Sequence, residues 1–168
     1  MACLVVLGLG SNKAYKKADG YIQTPRELLE EAAVKLGSVL SGLRTTSMIE
    51  TEPLYVMDQP RFLNTAVCGY YEGMPYELLS AIHAIEASCG RNRAEERRFG
   101  ERTLDIDILL FGSLVISEQD LEIPHPRLAE RSFALIPLLA LLPDAKDPRS
   151  GASYHDILKT AAPHGNAY

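Results

Sequence analysis

The sequence predicts an α+β fold: one antiparallel sheet with helices packed on one face, elements in the order β-α-β-β-α-β, and a C-terminal helical extension. Three observations predict it. Two segments, after Thr24 and after Met74, carry apolar residues at helical spacing behind a proline suited to the first helical turn. Short apolar or β-prone runs flank each of them and end at turn residues. The chain has 168 residues, 46% hydrophobic and 23% charged, which suits one globular domain over 1–168 with a sizeable core.

Ala2–Leu9 is an apolar run stopped by Gly10, Ser11 and Asn12, read as a central strand and a turn. Lys13–Gln23 is polar, contains Gly20 and reads as a loop. A helix follows over Thr24–Leu40. Thr24 is a good N-cap, Glu27 completes a capping box, and Leu28, Leu29, Ala32, Leu36, Val39 and Leu40 form its apolar stripe. Thr45–Thr51 is β-prone, and the proline-interrupted stretch to Phe62 is a loop. Leu63–Tyr71 is a strand and Pro75–Cys89 a second amphipathic helix, with Gly90 as its C′ residue. Arg91–Glu101 is a charged loop, Arg102–Phe111 a strand, and Ser113–Ser117 a short extra strand. The proline-rich turn at 123–126 leads into a mostly helical stretch, and one more helix fits Tyr154–Thr160.

A formal net charge of −5 argues against a protein that coats nucleic acid. Three cysteines, Cys3, Cys68 and Cys89, lie far apart with no zinc spacing and read as apolar core residues in a reducing compartment. The N-terminal run lacks a basic start and is too short for a signal peptide. No later apolar run is long enough to span a bilayer. Together these predict a cytoplasmic protein that binds neither nucleic acid nor membrane.

The stretch "RTLDIDILLFG" holds the chemistry. Residues two apart on a strand share a face, so Asp105 and Asp107 project together, roughly 6 to 7 Å apart at the backbone, while Leu104, Ile106 and Ile108 face the helices. Two carboxylates so placed repel by about 2 to 3 kcal/mol at an effective dielectric near 20. One resolution is a solvated strand face whose aspartates pair with the arginines at 91, 93, 97, 98 and 102. The other is one or two Mg²⁺ ions on the carboxylates, with the arginines holding phosphate oxygens, as phosphoryl transfer needs. The flanking "TL" and "ILLF" favour a central strand and so the second. No phosphate-binding loop, dinucleotide fingerprint or protein-kinase motif is present. Two other functions stay open on the residues alone: a single-stranded RNA-binding module, which the acidic pair disfavours, and a metal-dependent phosphohydrolase.

"FGERTLDIDILLFG" resembles the signature of the 6-hydroxymethyl-7,8-dihydropterin pyrophosphokinase family of folate synthesis. "LGLGSN", "ETEPLYVMDQPRFLNTAV", "IEASCGRNR" and "IPHPRLAERSFALIPL" match the same family in order and spacing. The resemblance implies a ferredoxin-like fold and transfer of the β,γ-pyrophosphoryl group of ATP to the pterin's hydroxymethyl oxygen, leaving AMP. It implies two Mg²⁺ ions on Asp105 and Asp107, with Arg91 and Arg102 joining them as catalytic residues. On the ATP side it implies Glu86, Arg93, Phe99, Arg102, Ile108, His125 and Arg131. For the pterin it implies stacking on Phe62 and Phe133, ring-edge recognition by Asn64, and pocket-lining backbone at Thr51 and Leu54. Gly10, Ser11 and Asn12 are expected to support the site from a turn. The family resemblance also implies small-molecule partners only and a monomer. The chain departs from the family in its longer, more basic Lys13–Gln23 segment, in Pro126 where an aromatic often stands, and in one extra residue around Arg97 and Arg98.

Overall fold

The computed structural model describes residues 1–53, 56–94 and 100–160. In chain order its elements are β1 (Cys3–Ser11), β2 (Tyr15–Lys16), β3 (Ile22–Gln23), α1 (Pro25–Leu36), β4 (Ser41–Thr45), β5 (Ile49–Thr51), β6 (Phe62–Tyr71), α2 (Pro75–Ser88), β7 (Asp105–Phe111), β8 (Ile116–Ser117), β9 (Glu122–Ile123), α3 (Ser132–Leu141) and α4 (Tyr154–Thr160), with a 3-10 turn at Leu128–Glu130. The main sheet runs β4-β6-β1-β7, with β5 also on β6, and every pairing is antiparallel. The α+β architecture with an antiparallel sheet is the observed one, but helices lie on both faces instead of the one expected, because the C-terminal extension packs back on the sheet.

β1 is longer than its apolar run. It continues through Gly10 and Ser11 because the neighbours supply partners: Gly10 faces Asn64 on one side and Asp105 on the other, and Ser11 faces Leu63. Two ladders outweigh the turn preference of Gly-Ser-Asn, so the expected turn there is corrected to strand. β7 starts later than expected, at Asp105. Residues 102–103 instead tie to the end of β1: Ser11 Oγ donates to the Thr103 carbonyl at 2.5 Å, and the Asn12 and Lys13 N–H groups donate to the Arg102 carbonyl at 3.0 and 3.1 Å.

The two faces of the sheet have different covers. α1 and α2 pack on one, over Val5, Leu7, Leu9, Val67, Ile106 and Ile108. α1 begins at the capping box read from the sequence, with both Thr24 and Glu27 side chains engaged, and buries Leu28, Leu29 and Leu36 completely. A fully buried leucine contributes about 2 kcal/mol, so this row alone fixes which side of α1 faces the sheet. The helix stops at Leu36. Gly37 caps it, and Leu40 reaches the core through a turn in which its N–H donates to the Leu36 carbonyl at 2.8 Å. On the opposite face α3 and α4 cover the half holding Val6, Ala66 and Cys68, through Leu135, Leu138, Leu141 and Tyr154. The other half of that face, towards the C-terminal end of β1, is left open, and the functional residues lie there.

The three cysteines carry free thiols; Cys68 and Cys89 are buried and Cys3 is half-buried. Among the described residues no helix is long and apolar enough to cross a membrane.

Candidate active site

The open half-face is floored by three strands in register. Asn64, Gly10 and Asp105 lie abreast on β6, β1 and β7, and Ala66, Gly8 and Asp107 form the next row. The glycines keep the middle of the floor low. A Cβ on Gly10 would sit 3.0 Å from Asn64 Oδ1, and one on Gly8 would sit 3.3 Å from the Leu109 side chain. Glycine at both positions is what permits this close approach. Above the floor is a cleft of about 360 Å³, within the usual range for small-molecule sites.

On the β7 side both carboxylates reach the cleft, 36% exposed for the Asp105 side chain and 38% for Asp107. Arg91, 5% exposed, donates to Asp105 Oδ1 at 2.5 Å and to Glu86 Oε1. Glu86 itself is 1% exposed. Its other contacts are Arg93 Nη2 at 2.6 Å and the Ile106 N–H at 2.8 Å. Its carboxylate lies beneath the cleft and accepts from these protein donors, so in this structure Glu86, expected on the ATP side, orients arginines. Ile108, also expected on the ATP side, packs its side chain in the core under the helices.

Asp107 faces two basic groups, His125 Nε2 at 3.6 Å and Arg131 Nη1 at 3.7 Å. Desolvation, then the charge of Asp105, pushes the Asp107 carboxyl up from 3.8 to about 7. The carboxylate pair is thus not fully neutralised by the arginines. His125 is held neutral. Burial first, then the charges of Arg131 and Arg127, push its imidazole down to about 4. Its Nδ1 accepts from the Arg127 N–H at 3.2 Å, which leaves the proton on Nε2, aimed at the cleft. A backbone bond from His125 N–H to the Leu109 carbonyl, 3.1 Å, holds this turn against β7.

The carboxylates fit Mg²⁺. Among the described residues no three His, Cys, Asp or Glu side chains form a ready cage, and Mg²⁺ characteristically takes one or two carboxylates and completes its shell with phosphate and water oxygens. Two half-exposed aspartates whose mutual repulsion the arginines only partly offset are that donor set.

The β6 side is different in chemistry. Phe62 and Phe133 both line the cleft. Arg131 lies over the Phe133 ring at 5.6 Å. Asn64 is buried, and its Nδ2 donates to Thr51 Oγ1 at 2.7 Å. That bond fixes the amide and turns its oxygen towards Gly10 and the floor. Arg93, Arg102, His125 and Arg131 also line the cleft. Leu54, Phe99, Arg97 and Arg98 lie outside the described residues. Sequence reasoning missed several lining residues, among them the polar Glu52, Gln59 and Arg127. Arg127 could have been found as a cation two residues beyond His125; the other two carry no local signal.

Residues 6–143 match the model of the 7,8-dihydro-6-hydroxymethylpterin-pyrophosphokinase family. The chain belongs to that family. Its relatives include a 2-amino-4-hydroxy-6-hydroxymethyldihydropteridine pyrophosphokinase of Haemophilus influenzae, 39% identical over 140 residues that cover 82% of this chain and 86% of that protein. A mitochondrial folate synthesis bifunctional protein of Arabidopsis thaliana is 42% identical over 153 residues, 91% of this chain but 26% of that one. The chain thus spans about a quarter of the plant bifunctional relative. In structure it is similar to Plasmodium falciparum HPPK-DHPS crystallised with pteroate, with TM-score 0.67, 16% identity, and coverage of 95% of this chain and 42% of the other. At that identity the likeness concerns the fold of the pyrophosphokinase family.

Proposed function

We propose that this pyrophosphokinase-family chain transfers pyrophosphate from ATP to the hydroxymethyl group of 6-hydroxymethyl-7,8-dihydropterin, as a cytoplasmic monomer using two Mg²⁺ ions. One observation carries the reading: a strip of two glycines separates a carboxylate pair from an aromatic and amide pocket on the same sheet face. The first suits a metal-bound triphosphate and the second a flat heteroaromatic ring.

In this reading Asp105 and Asp107 would hold the metal ions, which supply charge neutralisation at the phosphates. Arg91, fixed by Glu86, keeps the Asp105 carboxylate in place. Arg93, Arg102 and Arg131 face the phosphate oxygens, and neutral His125 donates through Nε2–H. Phe62 and Phe133 hold the pterin faces, and Asn64, oriented by Thr51, reads its edge. The hydroxymethyl oxygen forms its bond to the β-phosphorus as the bond to the α,β-bridging oxygen breaks, and AMP leaves. The hydroxyl proton passes to a phosphate oxygen or water. No side chain acts as a strong base, because positioning and charge stabilisation dominate such transfers.

The test is AMP release from ATP and Mg²⁺ with and without the pterin. Pterin-dependent AMP is expected. Inorganic phosphate released without pterin would instead favour a phosphohydrolase and overturn the reading.

A further inference from the structure

The Lys13–Gln23 segment is the largest feature of the sequence that the proposed chemistry leaves unused. It is not an open loop. Tyr15 and Lys16 pair with Gln23 and Ile22 as a β2–β3 hairpin. Gly20, at φ +89, turns it. The hairpin is fastened to the body of the protein at two places. One is polar: Glu31 on α1 accepts from Gln23 Nε2 at 2.6 Å and pairs with Lys17 Nζ at 3.2 Å. The same carboxylate pairs with Lys35 at 2.7 Å, and Lys35 donates to Ser88 Oγ at the end of α2, also at 2.6 Å. The other fastening is apolar. The Tyr15 ring lies against the Cα of Gly90, so closely that a Cβ built there would run into the ring.

Both fastenings converge on the C-terminal end of α2, the point from which Arg91 departs. Gly90 takes φ +81 to make that departure, and the Arg91 N–H closes back on the Glu86 carbonyl at 3.0 Å. Where the chain leads into the hairpin, the Asn12 and Lys13 N–H groups hold the Arg102 carbonyl. The inserted segment therefore spans the backbone origins of two cleft arginines.

We propose that the β2–β3 hairpin is a brace that sets the position of Arg91, with Tyr15 as the positioning residue. Arg91 has to satisfy Glu86 and Asp105 at once, and a glycine at positive φ has little intrinsic preference for the backbone that allows this. The tyrosine ring supplies the restraint. The effect on nucleotide affinity rests on the pyrophosphokinase reading; the mechanical coupling does not.

The experiment compares the full chain with Tyr15→Ala and Tyr15→Phe, well below their melting temperatures. Amide hydrogen exchange at Gly90 and Arg91 is expected to rise about tenfold in Tyr15→Ala and to return to the parent rate in Tyr15→Phe. Affinity for α,β-methylene-ATP with Mg²⁺ is expected to fall about tenfold in Tyr15→Ala, while affinity for 6-hydroxymethyl-7,8-dihydropterin stays within about twofold. Unchanged exchange at Gly90 and Arg91 would overturn the brace, as would an equal loss of affinity for both ligands, which is what general loosening produces. Should Tyr15→Ala not fold, Tyr15→Leu carries the same comparison. A parent protein without pterin-dependent AMP release, but with the exchange response intact, would refute the pyrophosphokinase reading and leave the brace standing.

Discussion

Replacing Asp107 by asparagine should make the ligand-free protein more stable while abolishing its activity. Asp107 sits at the foot of the cleft with its carboxyl raised from 3.8 to about 7, by desolvation first and by Asp105 second. A carboxyl raised in the folded state stabilises nothing when ionised. The unfolded chain loses its proton near pH 4 while the folded chain keeps it to about 7, so stability falls as pH climbs through that window and stays low above it. In a dry site the difference would be about 4 kcal/mol. The side chain is 38% open to the cleft, and water screening cuts this to about 1–2 kcal/mol. Asparagine removes the charge and keeps the shape. Without Mg²⁺ or nucleotide, Asp107→Asn should melt about 4 °C above the parent at pH 8, with the gap closing towards pH 4. AMP release should drop by about three orders of magnitude or more, for want of a metal ligand. A variant that melts at or below the parent at pH 8 refutes the electrostatic argument. Near-parental AMP release refutes the metal role.

Glu86→Gln should cost about 3 kcal/mol in urea unfolding, because buried Arg91 loses one of its two charged partners, and should depress turnover because Arg91 is no longer fixed from below. Asn12→Ala removes the acceptor of the Arg102 N–H and the donor to the Pro60 carbonyl. It should cost about 2 kcal/mol and speed amide exchange at Arg102, and an unchanged rate there would count against the linkage. Thr24→Ala breaks the capping box of α1 and should lower stability by about 1 kcal/mol with AMP release per folded molecule unchanged.

What the sequence revealed was local. The α1 capping box, the α2 stripe and the alternation around Asp105 and Asp107 are written in neighbouring residues, and each stands in the structure. What it hid depends on distant partners. Gly10 and Ser11 look like a turn until β6 pairs with both and β7 pairs with Gly10. β2 and β3 are two residues each, too short for any period, and stand because Glu31 and Gly90 anchor them. The β-prone run at 45–51 holds β5 and only the last residue of β4, which starts earlier at Ser41, and the two strands pair with different parts of β6. Glu86 looks like any solvated helix carboxylate, and only the approach of Arg91, Arg93 and the β7 backbone makes it an interior anchor.

The row Asn64–Gly10–Asp105 turns the sheet into a ruler. Neighbouring strands lie about 4.8 Å apart, so the two outer members are held about 10 Å from one another by nothing softer than a hydrogen-bond ladder. Whatever ring rests on the β6 side and whatever anion rests on the β7 side meet across a gap that no loop movement can stretch. Changes in the surrounding loops can alter which molecules are admitted, while the distance over which they react stays a property of the backbone.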